Sequence, residues 1–308
     1  MHIFKIFLVI FVLGFSTYTY SNHKEGHLPS YTREYLPIDK SVHPGRSLFH
    51  SGDGLGALAL LIPLAKKGIA DAQYYLGETF SYGRPKAMRS DELAFNWKLK
   101  AAKQNHFKAM ADVSTLYKLG WGVEKDSLAS ALWAQRAVEF LRSEADNGKI
   151  WAMMYMGRWY QQGNYLVKDE EYSKKWYVKA AQALHQKAIN TDGIAQKELG
   201  DMYEKGLGVA KNSREAEKWF RVASSNGNTD AMWNIGWLYE LRYKKGGAAA
   251  SDNFRSYVWY SAAKIQGKQD MDGYIRTRGS QMDTESILKA KVLAAKCVTS
   301  LFLNCVPD

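Results

Sequence analysis

From residue 57 onward, apolar and small residues recur with helical spacing, and that spacing recurs as a longer period. An alanine is followed four residues later by an apolar residue and five residues later by a small one. The segments are Ala72 with Leu76-Gly77, Ala109 with Val113-Ser114, Ala152 with Met156-Gly157, Ala195 with Leu199-Gly200, and Ala231 with Ile235-Gly236. Eight residues after each alanine stands an aromatic, Phe80, Tyr117, Tyr160, Tyr203 or Tyr239. Offsets of four and eight keep one face of an α-helix. Eleven residues after the alanine stands Gly83, Gly120, Gly163 or Gly206, and Arg242 breaks the pattern in the fifth unit. A second helix is marked by a tryptophan with an alanine four residues on: Trp97/Ala101, Trp133/Ala137, Trp176/Ala180, Trp219/Ala223 and Trp259/Ala263. Each unit therefore predicts a helix, a glycine-containing turn and a second helix.

The alanine spacings are 37, 43, 43 and 36. The extra seven residues of the long units are close to two helical turns, so they lengthen a helix and return its apolar face to nearly the same side. A stack of units tolerates such an insertion, because neither helix of one unit buries its apolar face alone and neighbours bury it continuously. Gly77 and its equivalents lack a Cβ and admit a neighbouring helix. The repeated aromatics and tryptophans are expected to fill the space between units, as core.

Asp201-Met-Tyr-Glu-Lys-Gly-Leu-Gly-Val209, with Lys211, Ala216-Glu-Lys-Trp-Phe220 and Asn226-Gly227, resembles the Sel-one-like repeat, a relative of the tetratricopeptide repeat. Tyr117-Lys-Leu-Gly-Trp-Gly-Val-Glu-Lys-Asp126 is a second match, and the resemblance covers about residues 57–300. Repeat one departs from it at Arg84-Pro85, and repeat five replaces the turn with Leu241 to Ala250. The resemblance implies an all-α fold, a right-handed α/α superhelical solenoid of about five repeats with capping helices, acting as a protein-binding scaffold. Ala57 to Lys67 looks like a lone second helix that caps the stack, and Thr284 is a candidate N-cap for a last helix.

Ahead of the repeats, Lys5 precedes the apolar run Ile6 to Phe15, followed by Ser16, Thr17, Thr19 and Ser21. That is the order of a secretory signal peptide, shorter than the roughly 20 apolar residues of a membrane-spanning helix. Residues 1–21 are therefore read as signal peptide, 22–50 as an extended or partly disordered lead segment, and 51–308 as the solenoid with its C-terminal capping helix. An uncleaved membrane anchor is the rival reading of the first segment. The expected location is the periplasm or the exterior.

The whole chain carries a formal charge of +11, of which residues 1–21 hold only Lys5. An exported protein rarely meets nucleic acid, so the counter-charges expected are acidic proteins, anionic envelope polymers or lipid headgroups. The alternative is a charge spread evenly that only aids solubility. Cys297 and Cys305 are close enough to staple a small loop in an oxidising compartment; two unpaired thiols are the alternative. Neither cysteine has a histidine at ligand spacing, and no metal site or cofactor is expected.

Gly52-Asp-Gly-Leu-Gly56 lacks the strand and Gly-Lys-Ser/Thr of a phosphate loop and reads as a turn ahead of the capping helix. Asp270-Met-Asp-Gly273 lacks the terminal acid of a calcium loop. No serine or cysteine stands in a nucleophile context, so no catalytic residue is assigned. Some cysteine-rich relatives are implied to act on β-lactams or cell-wall peptides; this chain lacks their repeated cysteine pairs.

Binding is therefore sought on the second, sixth and ninth positions after each alanine, which share a helix face. In tetratricopeptide-like solenoids the first helices line the concave side, and the resemblance places this stripe in the groove. The candidates are Tyr74, Met154, Arg158, Trp233, Trp237 and Glu240, with Trp233 and Trp237 lying outside the repeat signature. Exposed tryptophan, tyrosine and arginine dominate binding energy at protein interfaces. The competing reading of the two tryptophans is that the fifth turn or the C-terminal helix folds over them as a cap. The expected function is an exported scaffold that holds another protein, an acidic one if the positive charge has a counterpart: an envelope regulator, a host-interaction factor or a toxin-immunity protein.

Overall fold

The first helices of four units stop at the same kind of residue. Helices Ala70–Tyr82 (α3), Phe107–Leu119 (α5), Ile150–Gln162 (α7) and Gly193–Lys205 (α9) each run 13 residues and end at Gly83, Gly120, Gly163 and Gly206. These glycines have φ between +54° and +74°, the left-handed cap in which the glycine N–H donates to the carbonyl four residues back. The fifth unit has Arg242 at this position, and its first helix, Thr229–Lys244 (α11), continues for 16 residues.

The computed structural model describes residues 38–300 except 84–87 and 245–248. Among the described residues the second helices are Asp91–Lys103 (α4), Ser127–Asp146 (α6), Glu170–Ile189 (α8), Ser213–Ser225 (α10) and Ala249–Ile265 (α12). The side chains of Ser90, Asp126, Asp169 and Asn212 accept from backbone N–H groups at the starts of α4, α6, α8 and α10. Each such cap contributes about 1 kcal/mol. Helices α6 and α8 have 20 residues where α4 and α10 have 13. The seven-residue insertions therefore lengthen the second helix, as the spacing predicts.

All ten signature alanines are fully buried, and Leu76, Val113, Met156, Leu199 and Ile235 are buried with them. In four units the small residue of the first helix is a glycine under the residue that follows the signature tryptophan, whereas Ser114 of the second unit meets the Ser130 hydroxyl. A Cβ on Gly200 would stand 2.5 Å from the Phe220 ring, and one on Gly236 would stand 2.6 Å from Tyr260. The tryptophans themselves are less central than the repeat pattern suggests. Trp176 and Trp259 are buried, whereas Trp97, Trp133 and Trp219 are half-buried. A cation three residues on lies over several of them: Lys100 is 4.1 Å from the Trp97 ring, Arg136 4.8 Å from Trp133 and Lys179 4.3 Å from Trp176. Each is a favourable cation–π geometry.

Polar relays tie one unit to the next. Gln73 donates to the Ala65 carbonyl and accepts from Gln104; Gln196 donates to the Ala188 carbonyl and accepts from Asn226. His106 takes the place of a capping Asp or Asn, its Nδ1 accepting from the Ala109 N–H while Nε2 faces Asp71 at 3.3 Å.

At the N-terminal end the lead segment needs correction. Residues 1–37, including the expected signal peptide, lie outside the described residues, but Lys40–Val42 forms a 3-10 turn and His43–Ser51 a helix, α1. Val42, Gly45 and Phe49 are buried at spacings of three and four, and a Cβ on Gly45 would meet Leu61 at 2.8 Å. Helix Gly54–Lys66 (α2) follows, capped by Asp53, whose side chain accepts from the Gly56 N–H. The cap is thus a helix pair whose turn is Gly52-Asp53, and Gly54 to Gly56 already form the first turn of α2.

At the other end, Asp272–Gly279 (α13) and Thr284–Thr299 (α14) follow the fifth repeat, and α14 packs back onto α12. Its N-cap is Asp283, one residue before the threonine expected there, with the side chain accepting from the Ser286 N–H. Cys297 is fully buried in α14. Cys305, its expected partner, lies outside the described residues.

Candidate protein-interaction surface

The first-helix stripe expected to line an open groove is in part an internal seam. Tyr74 is only 8 % exposed, Met154 1 % and Glu240 7 %. A side chain covered this far does not meet a partner, so these three leave the contact set and become structural residues. Tyr74 stacks on His106, the N-cap of α5, with centroids 4.5 Å apart. Met154 lies in the core, beside a run of aromatics in which Phe107 meets Trp151 at 5.1 Å and Tyr155 at 4.8 Å. Arg158 remains partly exposed, its guanidinium 5.2 Å from the Tyr155 ring.

The sixth position of the stripe carries charge into the seam. Lys98 pairs with Glu78 and, at 2.7 Å, with Asp112 of the second repeat. Burial disfavours its ammonium, but Asp112 and Glu78 outweigh that and hold it well above the usual lysine range. Fully buried Lys197 lies 3.0 Å from Asp201 and 3.3 Å from Glu198, and Asn234 of the fifth repeat donates to Asp201 at 2.9 Å. These groups link repeats to each other.

Between α10 and α11, Glu217 accepts from the Tyr239 hydroxyl at 2.6 Å and pairs with Arg221 and Arg242 at 2.8 Å. Burial pushes its carboxyl up, yet the Tyr239 hydrogen bond and the two guanidinium groups hold it below the usual range. A carboxyl with a depressed folded pKa stabilises above its unfolded value and loses that contribution as pH falls through the folded one. We expect Glu217→Gln to cost about 1–3 kcal/mol at neutral pH. The difference from the parent chain should shrink in urea titrations taken stepwise below the ordinary carboxylate range. A constant difference at all pH values would show that the charge plays no part.

The aromatic pair at the fifth repeat remains accessible. The Trp233 and Trp237 rings stack with centroids 5.9 Å apart and planes 11° apart, and both are partly exposed. Because α11 lacks the turn glycine, its last turn carries Tyr243 and Lys244 to this place. Lys244 Nζ lies 5.4 Å over the Trp237 ring and 2.7 Å from Glu240, and Glu240 accepts from the Tyr260 hydroxyl at 2.9 Å. Tyr274 of α13 meets Trp233 edge-on at 6.0 Å and Tyr260 at 5.0 Å. Of the competing reading, a cap over the pair, the described residues show only a flank, and from α13, not from the C-terminal helix: Tyr274 borders Trp233, and Trp237 borders a cation and a buried carboxylate, while residues 245–248 of the fifth turn lie outside the described residues. Sequence periodicity did not reveal α13 as a neighbour, although the short segment holding Tyr274 follows the last repeat directly.

The Sel1 repeat model matches five segments, residues 70–106, 107–139, 152–183, 193–228 and 229–268. No curated protein matches the chain. Among solved structures, a Sel1 repeat protein from Oxalobacter formigenes is 24% identical with a TM-score of 0.39, over 83% of this chain and 99% of that one. The protective antigen c5321 from uropathogenic Escherichia coli, displaying an SLR fold, is 19% identical with a TM-score of 0.34, over 85% of this chain and 69% of that one. The immunity protein Pa5087 from Pseudomonas aeruginosa is 18% identical with a TM-score of 0.30, over 77% and 86%. With five matched repeats spanning more than half of its residues, each a helix pair stacked on the next, the chain belongs to the Sel1 repeat family.

Proposed function

We propose that the chain is an exported scaffold that holds a partner protein against the surface around Trp233, Trp237 and Arg158. The observation that carries this reading is the stacked, partly exposed tryptophan pair, which the repeat signature does not require. Large aromatic side chains with a cation alongside are the groups on which interface energy concentrates. The support for export is the N-terminal sequence, with Lys5 ahead of the run Ile6 to Phe15. Among the described residues no helix is long and apolar enough to cross a membrane.

The test is a crosslinking capture from the native organism, performed on separated envelope, cytosolic and medium fractions and read by mass spectrometry. A specific protein should be captured from the envelope or the medium. The double variant Trp233→Ala/Trp237→Ala should weaken binding to that protein roughly thirtyfold or more, the size of a paired hot-spot loss. Capture unaltered by the double change would remove the tryptophan pair as anchor. A chain recovered only with the cytosol would overturn export.

A further inference from the structure

The array is finished on its C-terminal side by a helix that is still apolar on its outer face. Terminal units of a solenoid ordinarily turn a polar face outward. Helix α14 buries Ala290, Ala294 and Cys297 inward, yet Leu288 and Val292, four residues apart on its outer side, are each 63% exposed. Beside them a cleft of about 210 Å³ opens between α12, α13 and α14, lined by Tyr257, Ser261, Lys264, Ile265, Ile275 and Lys291. Ile265 at its edge is 53% exposed. Apolar side chains and cleft form one surface, joined at Lys291.

The charge around this surface has one sign in excess. Lys264 pairs with Asp272, and Lys289 with Glu285 at 2.6 Å. Lys291 and Lys296 are exposed and make no ion pair among the described residues. By helical spacing, Lys289 and Lys296 flank the Leu288/Val292 stripe on one side and Lys291 on the other. A second copy of this chain would bring like charges together at the rim, which is unfavourable. An apolar ridge between lysines fits the reverse pattern, apolar residues at i and i+4 flanked by carboxylates.

We propose that the face formed by α12, α13 and α14 docks an acidic amphipathic helix of a partner protein. The inference rests on the reading of the chain as a protein-binding scaffold and adds a second contact surface with a stated partner chemistry. Leu288 and Val292 would supply the apolar seat, the cleft would take a side chain, and Lys291 and Lys296 would bind the flanking carboxylates.

The probe is a fluorescein-labelled synthetic helix of about five turns, leucine-striped and glutamate-flanked, beside a twin with lysine in place of each glutamate. Anisotropy with the full chain should show saturable binding of the acidic helix only, weakening as salt rises. Leu288→Asn/Val292→Asn should weaken it roughly tenfold, since two apolar contacts are lost from exposed positions. Lys291→Glu/Lys296→Glu should weaken it and strip its salt dependence. Circular dichroism of both variants should match the parent, because all four positions face solvent. Equal binding of both helices, or of parent and variants, would overturn the proposal. So would a parent dimer that the Leu288/Val292 change makes monomeric, vesicles of anionic lipid that compete for the stripe, or binding that appears only after residues 301–308 are removed. The natural partner's capture lost in the tryptophan variant but kept in the α14 variants would leave the scaffold reading intact and remove only this one.

Discussion

Replacing Gly208 by valine is expected to unseat the fourth repeat from the third and to cost about 3–5 kcal/mol, the sum of a left-handed backbone penalty and overpacking. Gly208 has φ +69°, and a Cβ there would stand 2.3 Å from the Tyr177 carbonyl carbon and 2.5 Å from the Val178 nitrogen. Both are backbone atoms in the middle of α8, so no side-chain rotation relieves the clash. The turn must lift away, and with it the contact between repeats. Gly227 provides the control, because it has φ +81° with nothing within 4 Å of its would-be Cβ. Valine there carries the backbone penalty alone. In thermal melts Gly208→Val should lower the midpoint by several degrees more than Gly227→Val, at roughly 2–4 °C per kcal/mol for a chain of this size. Equal losses at the two sites would mean that the turn does not hold the repeats together.

Gly208 belongs to the part of the fold that is legible in the sequence. Its residue type is required by a close backbone approach that two turns share; Gly122, at the equivalent turn position, meets the backbone at Asp91, at the start of α4. The same holds for Gly206 as a helix stop and for the seven residues that lengthen α6 and α8. These features are local or strictly periodic, so spacing reveals them. The pairing of a small residue in the first helix with a large one after the tryptophan was also present, as Gly200 with Phe220 and Gly236 with Tyr260. It could have been read by aligning the two helices of each unit.

What spacing did not disclose is the depth at which each face lies. Tyr74, Met154 and Glu240 share the stripe of Trp237, yet three are covered and one is not. Cover comes from elements distant in sequence: His106 over Tyr74, Tyr260 beside Glu240, Tyr274 beside Trp233. Charged residues were the most misleading, since an isolated Lys or Asp on a helix ordinarily marks a solvated face. The partners that make Lys98, Lys197 and Asp201 internal become visible only when neighbouring helices are superposed. Helix α1 and the turn before it escaped for the opposite reason: Val42 and Phe49 are too few to form a pattern, although both are buried.

The buried charges at the fourth repeat lead to the second large effect. Lys197→Met keeps the length and apolar body of the side chain and removes only its ammonium, leaving the Glu198 and Asp201 carboxylates inside without the cation at 3.3 and 3.0 Å. Breaking a buried pair in this way costs about 3–5 kcal/mol, because the carboxylates lose the cation whose attraction offset their desolvation. The triple change Lys197→Met/Glu198→Gln/Asp201→Asn should recover most of the loss at neutral pH, with the Asn234 amide, 2.9 Å away, still donating to the oxygen at position 201. Urea unfolding of parent, single and triple variants at neutral pH distinguishes the cases. A triple variant as unstable as the single one would show that the lysine acts by its fit in the seam. A single variant as stable as the parent would show that water reaches the carboxylates there. Recovery in the triple variant would identify the cluster as a connector that an uncharged seam replaces without loss. In that case its charges contribute to how the fourth and fifth repeats register on each other more than to how strongly they hold, since Asp201 is the group that Asn234 meets across that joint.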